Sequence, residues 1–141
     1  MMDGAKKERI GPKEERKLEK VERLLSSIRQ FDEERILLVE GRRDMEALRK
    51  LGIEGKIFCL LTGKGTLPER LEKVSAKHVL VLVDFDPEGE RLAHVVSHML
   101  NRRGVNADLS VWRSIRSYLK KDVRDIEGLA NYLLRRSGEA R

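Results

Sequence analysis

The stretch His78-Val79-Leu80-Val81-Leu82-Val83-Asp84-Phe85-Asp86-Pro87-Glu88-Gly89-Glu90 decides how this chain reads. Its unbroken aliphatic run, without helical spacing, suits a strand covered on both faces, as in a parallel sheet. The run stops at two aspartates. Asp86-Pro87 then has the form of a helix N-cap followed by proline at the first helical position. Beyond it, Leu92, Val95, Val96, Met99 and Leu100 make an apolar face ended by Gly104, which predicts a longer helix.

The same grammar recurs on either side. Ile36-Leu37-Leu38-Val39 is a second aliphatic run, stopped by Glu40-Gly41, after which Met45, Leu48, Leu51 and Ile53 predict a short helix ended by Gly52. A run over 57–61 stops at Thr62-Gly63-Lys64-Gly65, where Thr66 and Glu69 have capping-box spacing and predict a brief helix. Residues 107–112 predict a fourth strand, and a basic region with weaker helical patterning follows. Upstream, Leu18, Val21, Leu24, Leu25, Ile28 and Phe31 recur at spacings of three and four, one stripe of an amphipathic helix over 13–31. That stripe must be buried, either on the flank of the domain or in a dimer contact. Residues 1–11 lack periodicity and read as a frayed end. Strands alternating with helices through short connections predict an α/β fold in three layers around a parallel sheet.

Composition narrows the function classes. The chain has 141 residues, enough for one domain with an appendage. Lys and Arg number 30 against 24 Asp and Glu, a net charge of +6 that permits a polyanionic partner without requiring one. The single cysteine, Cys59, allows no intrachain disulfide and no Cys-rich zinc finger, and its place in an apolar run reads as a small core residue. No apolar run approaches the length of a membrane span, and the polar N-terminus has no signal-peptide core, so a soluble cytoplasmic chain is expected. Three Phe, two Tyr and one Trp provide no stacking platform for single-stranded bases.

Acids mark the candidate site. In open α/β sheets ligands bind beyond the carboxyl ends of the strands, and there the chain has Glu40 after one run and Asp84 and Asp86 after another. Residues two apart in an extended segment point the same way, so the two aspartates project together. Like carboxylates held close need a compensating cation, and Mg²⁺ is typically held by one or two carboxylates plus substrate phosphates. Helix capping is the competing reading. It accounts for Asp86, and Glu88 and Glu90 suit a helix N-terminus, but it gives no reason for Asp84 or Glu40.

Among the cations, Arg42 and Arg43 stand beside Glu40, Arg91 lies one turn after Asp86, and Arg113, Arg116, Lys120 and Lys121 follow the last predicted strand. These are candidates for phosphate contact or for plain solvation. Lys64 in its glycine turn is either a phosphate contact or part of an ordinary loop; the full GxxxxGK[ST] phosphate loop is absent, so ATP hydrolysis is unsupported. His94 and His98 lie opposite the apolar face of their helix and lack the HExxH glutamate, so they read as exposed polar residues.

Val39-Glu40-Gly41-Arg42-Arg43-Asp44, followed by Asp84-Phe85-Asp86-Pro87-Glu88-Gly89-Glu90, resembles the two signature motifs of the Toprim domain. That domain is shared by topoisomerases, bacterial-type primases, the maturation nuclease of 5S ribosomal RNA and recombination-repair proteins. The likeness covers residues 34–128, and it is greatest to the small stand-alone Toprim proteins of archaea and some bacteria. It implies a three-layer α/β/α, Rossmann-like fold with a roughly four-stranded parallel sheet, here preceded by the amphipathic helix of 1–33 and followed by a C-terminal helix and tail over 129–141. By motif position Glu40 looks like the family's general acid/base and a metal ligand. Asp84 and Asp86 look like its metal-binding aspartates, with Glu88 matching a third acid found in the topoisomerase branch. Asp44, Gly41 and Gly89 match positions of structural support. One or two Mg²⁺, with Mn²⁺ as a substitute, are implied as cofactors.

The departures matter too. Tyr118 and Tyr132 are the only tyrosines, and neither a strand-passage gate nor the zinc modules of primases and recombination mediators fit this length and cysteine count. The reading that results is a Mg²⁺-dependent phosphodiester-cleaving, nuclease-like enzyme on structured RNA or DNA, its strand positioned by Arg42, Arg43, Lys64, Arg91, Arg113 and Arg116. A metal-bridged nucleic-acid or ribonucleoprotein binding module and a primase-like nucleotidyl transferase core are the alternatives. A phosphatase is disfavoured by Glu88, where a DxDx[TV] motif needs Thr or Val.

Overall fold

The two most apolar runs become the central strands of a parallel sheet. The computed structural model describes residues 11–30 and 32–137. In chain order these form α1 (Pro12–Arg29), β1 (Arg35–Val39), α2 (Arg42–Lys50), β2 (Ile57–Cys59), α3 (Leu67–Leu71), β3 (His78–Val81), α4 (Pro87–Arg102), β4 (Asn106–Asp108), α5 (Ser110–Leu119) and α6 (Ile126–Ser137). The strands lie in the order β2-β1-β3-β4, all parallel, with Leu38 opposite Phe58 on one side and Val81 on the other. Leu38, Val39, Val79 and Val81 have no exposed surface, as expected of strands sandwiched between helices. The expected frayed end falls largely on residues 1–10, which with Phe31 lie outside the described residues.

Strand order places the ligand crevice. The chain leaves β1 outward to β2, then crosses back over β1 to β3 and continues to β4. With right-handed crossovers, α2 falls on one face and α3 and α4 on the other. Packing agrees: α3 lies against α4, and α2 against α6. Winding reverses between β1 and β3, which makes the carboxyl ends of these two strands the switch point where open α/β sheets bind their ligands.

The amphipathic stripe of α1 is buried on the molecule's own flank. Val21, Leu25 and Ile28 face inward, and the helix packs on α5. Tyr132 of α6 donates its hydroxyl to the Glu14 carboxylate, which Arg136 also binds at 3.2 Å, so α6 holds the start of α1.

Several expectations are corrected. The fourth strand ends at Asp108 instead of running to Trp112. Asp108 Oδ1 accepts the Ser110 N–H at 2.8 Å, a turn that releases the chain into α5. Val111, Trp112, Ile115 and Leu119 are then the buried face of that helix. Val95, expected on the apolar face of α4, is 43% exposed; the buried face is Gly89, Ala93, Val96 and Leu100. Cys59 lies on the edge strand β2 and is only partly buried, packed against the core instead of within it. The C-terminal helix begins at Ile126, ahead of the expected 129. His94 and His98 are exposed, and the Thr66–Glu69 capping box is formed as read.

One contact fixes how closely α4 approaches β3. A Cβ on Gly89 would lie 2.0 Å from the Asp84 carbonyl oxygen and 2.6 Å from its carbon, both backbone atoms that cannot swing aside. Gly89 is therefore required by space, not by its dihedral angles. Gly89→Ala should destabilise the protein by about 1–3 kcal/mol or more, the usual penalty of overpacking, read as a lowered denaturant midpoint at unchanged m-value. Wild-type stability in this variant would mean that α4 is not so tightly seated.

Candidate metal centre

The site is assembled by the hydrogen bonds that continue the sheet past its last paired residues. Leu82 donates to the Leu38 carbonyl at 2.8 Å, extending the β1–β3 ladder. Two residues on, the Asp84 N–H would meet the Glu40 carbonyl, but that oxygen accepts from Leu61 N–H on the β2 side, also at 2.8 Å. Glu40 answers with its side chain: Oε2 accepts the Asp84 N–H at 2.8 Å. The two acids that lie 44 residues apart in sequence thus meet at the switch point, joined backbone to carboxylate.

The Asp84-Phe85-Asp86 turn is held from behind. Trp112 Nε1 donates to the Val83 carbonyl at 2.9 Å, and Arg116 Nε to that of Phe85 at 3.0 Å. Phe85 stacks on Trp112 with ring centres 6.4 Å apart, and its own N–H donates to the Arg124 carbonyl at 2.7 Å. Asp86 Oδ1 accepts the Gly89 N–H at 2.8 Å and caps α4, while Oδ2 lies 4.0 Å from the Arg124 guanidinium. Asp86 therefore serves as a cap, as the competing reading held, and still presents its second oxygen to a cation.

Asp44 supports the turn from the other side. Its Oδ2 accepts the Gly41 N–H at 3.2 Å, and the Glu127 backbone N–H also reaches this carboxylate, linking the starts of α2 and α6. Gly41 itself is extended, with open space where a Cβ would stand, so sterics do not demand glycine there.

Crowding shows in the protonation equilibria. Asp84 is pushed up to about 7, first by burial and then by the charges of Glu40, Asp44, Asp125 and Asp86. Burial also raises Glu40 above the usual carboxylate range, against the Asp84 N–H that lowers it, with Asp44, Asp86 and Glu88 adding to the rise. Four like charges around a half-buried carboxylate are a deficit of positive charge. The donors are hard oxygens, which fit Mg²⁺ or Mn²⁺ and not a soft metal. Among the described residues no three acids close into a ready-made cage. A cation that takes one or two carboxylates and completes its shell with water and phosphate needs none.

The cations divide into three groups. Arg42 and Arg43 start α2, Lys64 follows β2, and Arg91 is in the first turns of α4; all are exposed on the side of the strands' carboxyl ends. Arg113 is exposed on α5, with no contact to the acids among the described residues. Arg116 is engaged internally, on Phe85, on Glu90 Oε1 at 3.1 Å and over the Trp112 ring, so it braces the acidic turn. Sequence reading missed Asp125 and Arg124, which the α5–α6 connection brings to the rim. The helix-start signal was visible, since Asp125 caps α6 through the Gly128 N–H, but only the tertiary fold puts that cap beside Asp84.

The raised Asp84 has a signed consequence. Between its ordinary value of 3.8 and about 7, the folded protein binds more protons than the unfolded chain, so this group makes stability fall as pH rises through that window. Asp84→Asn removes the effect. In chelator, the variant should melt above wild type at pH 8, with an advantage that shrinks to nothing as pH falls toward 4. Adding Mg²⁺ or Mn²⁺ should narrow the gap by stabilising wild type. A gap independent of pH would mean the carboxylate is not crowded.

Comparison with known proteins gives the family. Residues 34–110 match the model of a Toprim domain. A UPF0292 protein of Methanocaldococcus jannaschii is 34% identical over 86% of this chain and 98% of its own length. One from Thermococcus kodakarensis is 36% identical over 79% and 82%. A solved structure from Aquifex aeolicus superposes with a TM-score of 0.59 at 25% identity, covering 75% of this chain and 94% of that one. Among the described residues no helix is long and apolar enough to cross a membrane. Toprim domains typically bind divalent metals and belong to nucleotidyl-transfer and nuclease-like proteins that act on nucleic acid. With both signature motifs meeting at the switch point of a four-stranded parallel sheet, the chain belongs to the Toprim family, alongside the small UPF0292 proteins of archaea.

Proposed function

We propose that this protein is a Mg²⁺-dependent enzyme that cleaves phosphodiesters in structured RNA or DNA. The observation that carries the reading is the bond from Asp84 N–H to Glu40 Oε2. It joins the acid of one strand to the acidic turn of its neighbour where an α/β sheet binds ligands.

Asp84 and Asp86 would hold the metal, with Glu40 and Glu88 within electrostatic reach. When bound, the ion supplies charge stabilisation at the phosphate and at the leaving oxygen. The chain's own part is proton handling and placement. Glu40 has a raised pKa, and among the described residues only its Oε2 is taken by a hydrogen bond. Burial that raises its pKa makes this carboxyl hold a proton more readily than a free one, which suits it to take a proton from the attacking oxygen or give one to the leaving oxygen. Trp112 and Arg116 keep the aspartate turn from shifting, which preserves alignment of the reacting groups. Arg42, Arg43, Lys64 and Arg91, all exposed, would take flanking phosphates.

One observation favours a second reading, a binding module in which the metal only bridges to phosphate. No closed three-acid cage is preformed among the described residues, and Asp86 divides itself between α4 and Arg124. Turnover separates the two. With labelled precursor of 5S ribosomal RNA, generic RNA and DNA, we expect products with Mg²⁺ and none with chelator. Glu40→Gln should slow cleavage by about 10²-fold or more, while substrate binding stays within a few-fold of wild type. Metal-dependent binding without any product would leave only the binding module, whereas equal rates in Glu40→Gln would remove Glu40 from the chemistry.

A further inference from the structure

We propose that the crevice between α1 and α5 is a track for the phosphodiester backbone of a nucleic-acid duplex, gripped by Lys13, Lys17, Lys20 and Arg23 of α1 and by Lys120 and Lys121 after α5. The partner class rests on the reading above; the track itself uses none of the acidic residues and needs no metal.

Helix α1 carries three stripes at helical spacing. Its inward stripe is Leu18, Val21, Leu25 and Ile28, packed on the domain. A second stripe, Glu15, Glu19 and Glu22, gathers acids. The third, Lys13, Lys17, Lys20 and Leu24, with Arg23 beside it, faces the crevice. Such segregation is not needed to hold α1 in place, since residues three and four apart would pair better with charges mixed.

The crevice is real space. Two cavities lie along it, of about 690 Å³ and about 390 Å³, the first floored by Ser117 and Tyr118 and the second by Ser114 and Tyr118. Two acids border it. Glu14 is already bound to Tyr132 and Arg136, which leaves Asp122 against six cations. Among the described residues, none of Lys13, Lys17, Lys120 or Lys121 is in an ion pair. A surface of this sign, with those four lysines in no ion pair among the described residues, fits a polyanion.

A duplex backbone fits better than unpaired bases. Among the described residues Tyr118 is the one aromatic ring lining the crevice, and Lys20 Nζ already stands 5.4 Å from its centre, so the crevice has no row of rings for successive bases to stack on. From position 13 to 23 the helix advances about 15 Å at 1.5 Å per residue, the axial length of about four base pairs. The track also leads somewhere: past Lys120 and Lys121 the chain reaches Arg124, whose carbonyl binds Phe85 and whose guanidinium lies 4.0 Å from Asp86. A backbone laid along the crevice is thereby directed toward the acidic rim.

The test measures fluorescence anisotropy of an RNA duplex and a DNA duplex of equal length in chelator, across a salt series. The variants are Lys17→Gln/Lys20→Gln/Lys121→Gln, a control triple Lys50→Gln/Lys56→Gln/Lys73→Gln on other elements, and Asp84→Asn. We expect the crevice triple to lose at least about tenfold in affinity and to flatten the log–log salt slope by about 2–3. The control triple should change both far less, and Asp84→Asn should bind no more weakly than wild type. Whichever duplex binds more tightly assigns the natural partner as RNA or DNA. Equal losses in the two triples, or tight wild-type binding unaffected by the crevice triple, would overturn the track. So would loss of binding to phosphatidylserine vesicles in a protein that ignores both duplexes. If the crevice triple fails to bind while wild type binds but never cleaves with Mg²⁺, the track stands and the cleavage reading falls. If the triple cleaves with wild-type KM, the reverse holds.

Discussion

One hydrogen bond organises the molecule's acidic rim: the Asp84 backbone N–H to the Glu40 carboxylate. It exists because two neighbouring strands part company at the switch point, leaving a donor with no ladder partner. A side chain fills the gap, and only an acceptor long enough to reach across does so. The consequence is that a carboxylate is pinned beside the start of a second acidic turn. Its burial and its neighbours raise the pKa of both Glu40 and Asp84. Structure and electrostatic tension come from the same contact.

That tension needs a rigid frame to persist. A mobile turn would swing its aspartates outward into water and relieve the repulsion. Three features oppose this: Trp112 and Arg116 hold the carbonyls behind the turn, Phe85 is buried against Trp112, and Gly89 lets α4 close onto the Asp84 backbone. The turn's carbonyls and the Asp86 cap satisfy local needs, so the remaining carboxylate oxygens are held together by covalent and packing constraints and not by mutual attraction. Arrangements of this kind store free energy that binding of a cation releases.

Much of this was legible in the sequence, for identifiable reasons. Aliphatic runs stopped by acids located the strands and the rim, and Asp86-Pro87 and Thr66–Glu69 gave helix starts whose caps are formed as read. The reading failed where local pattern and tertiary packing diverge. Residues 107–112 look extended because Val111 and Trp112 are apolar and bulky, yet the Asp108 turn makes them a helix face against the core. Val95 continues the apolar spacing of α4 but lies off the buried line of Ala93, Val96 and Leu100, so the helix turns it toward solvent. Asp125 could not be assigned to the rim at all, since its approach to Asp84 depends on how α6 docks on α2.

The molecule also separates its charges in a way that its net +6 conceals. The acids crowd at the carboxyl ends of β1 and β3, a location that by itself repels a phosphodiester. A polyanion would reach such a place only with help of two kinds. A divalent ion at the rim removes the local repulsion, and cations away from the rim supply attraction that the acids cannot cancel, since exposed charges beyond about 8–10 Å are largely screened at physiological salt. Arg42, Arg43 and Arg91 stand close by the rim, whereas Lys13, Lys17, Lys20 and Arg23 belong to a helix packed on α5. The residues proposed to attract a strand and those proposed to hold the metal therefore sit on different elements. Affinity and chemistry can then vary independently, because a substitution in α1 leaves the Glu40–Asp84 contact untouched.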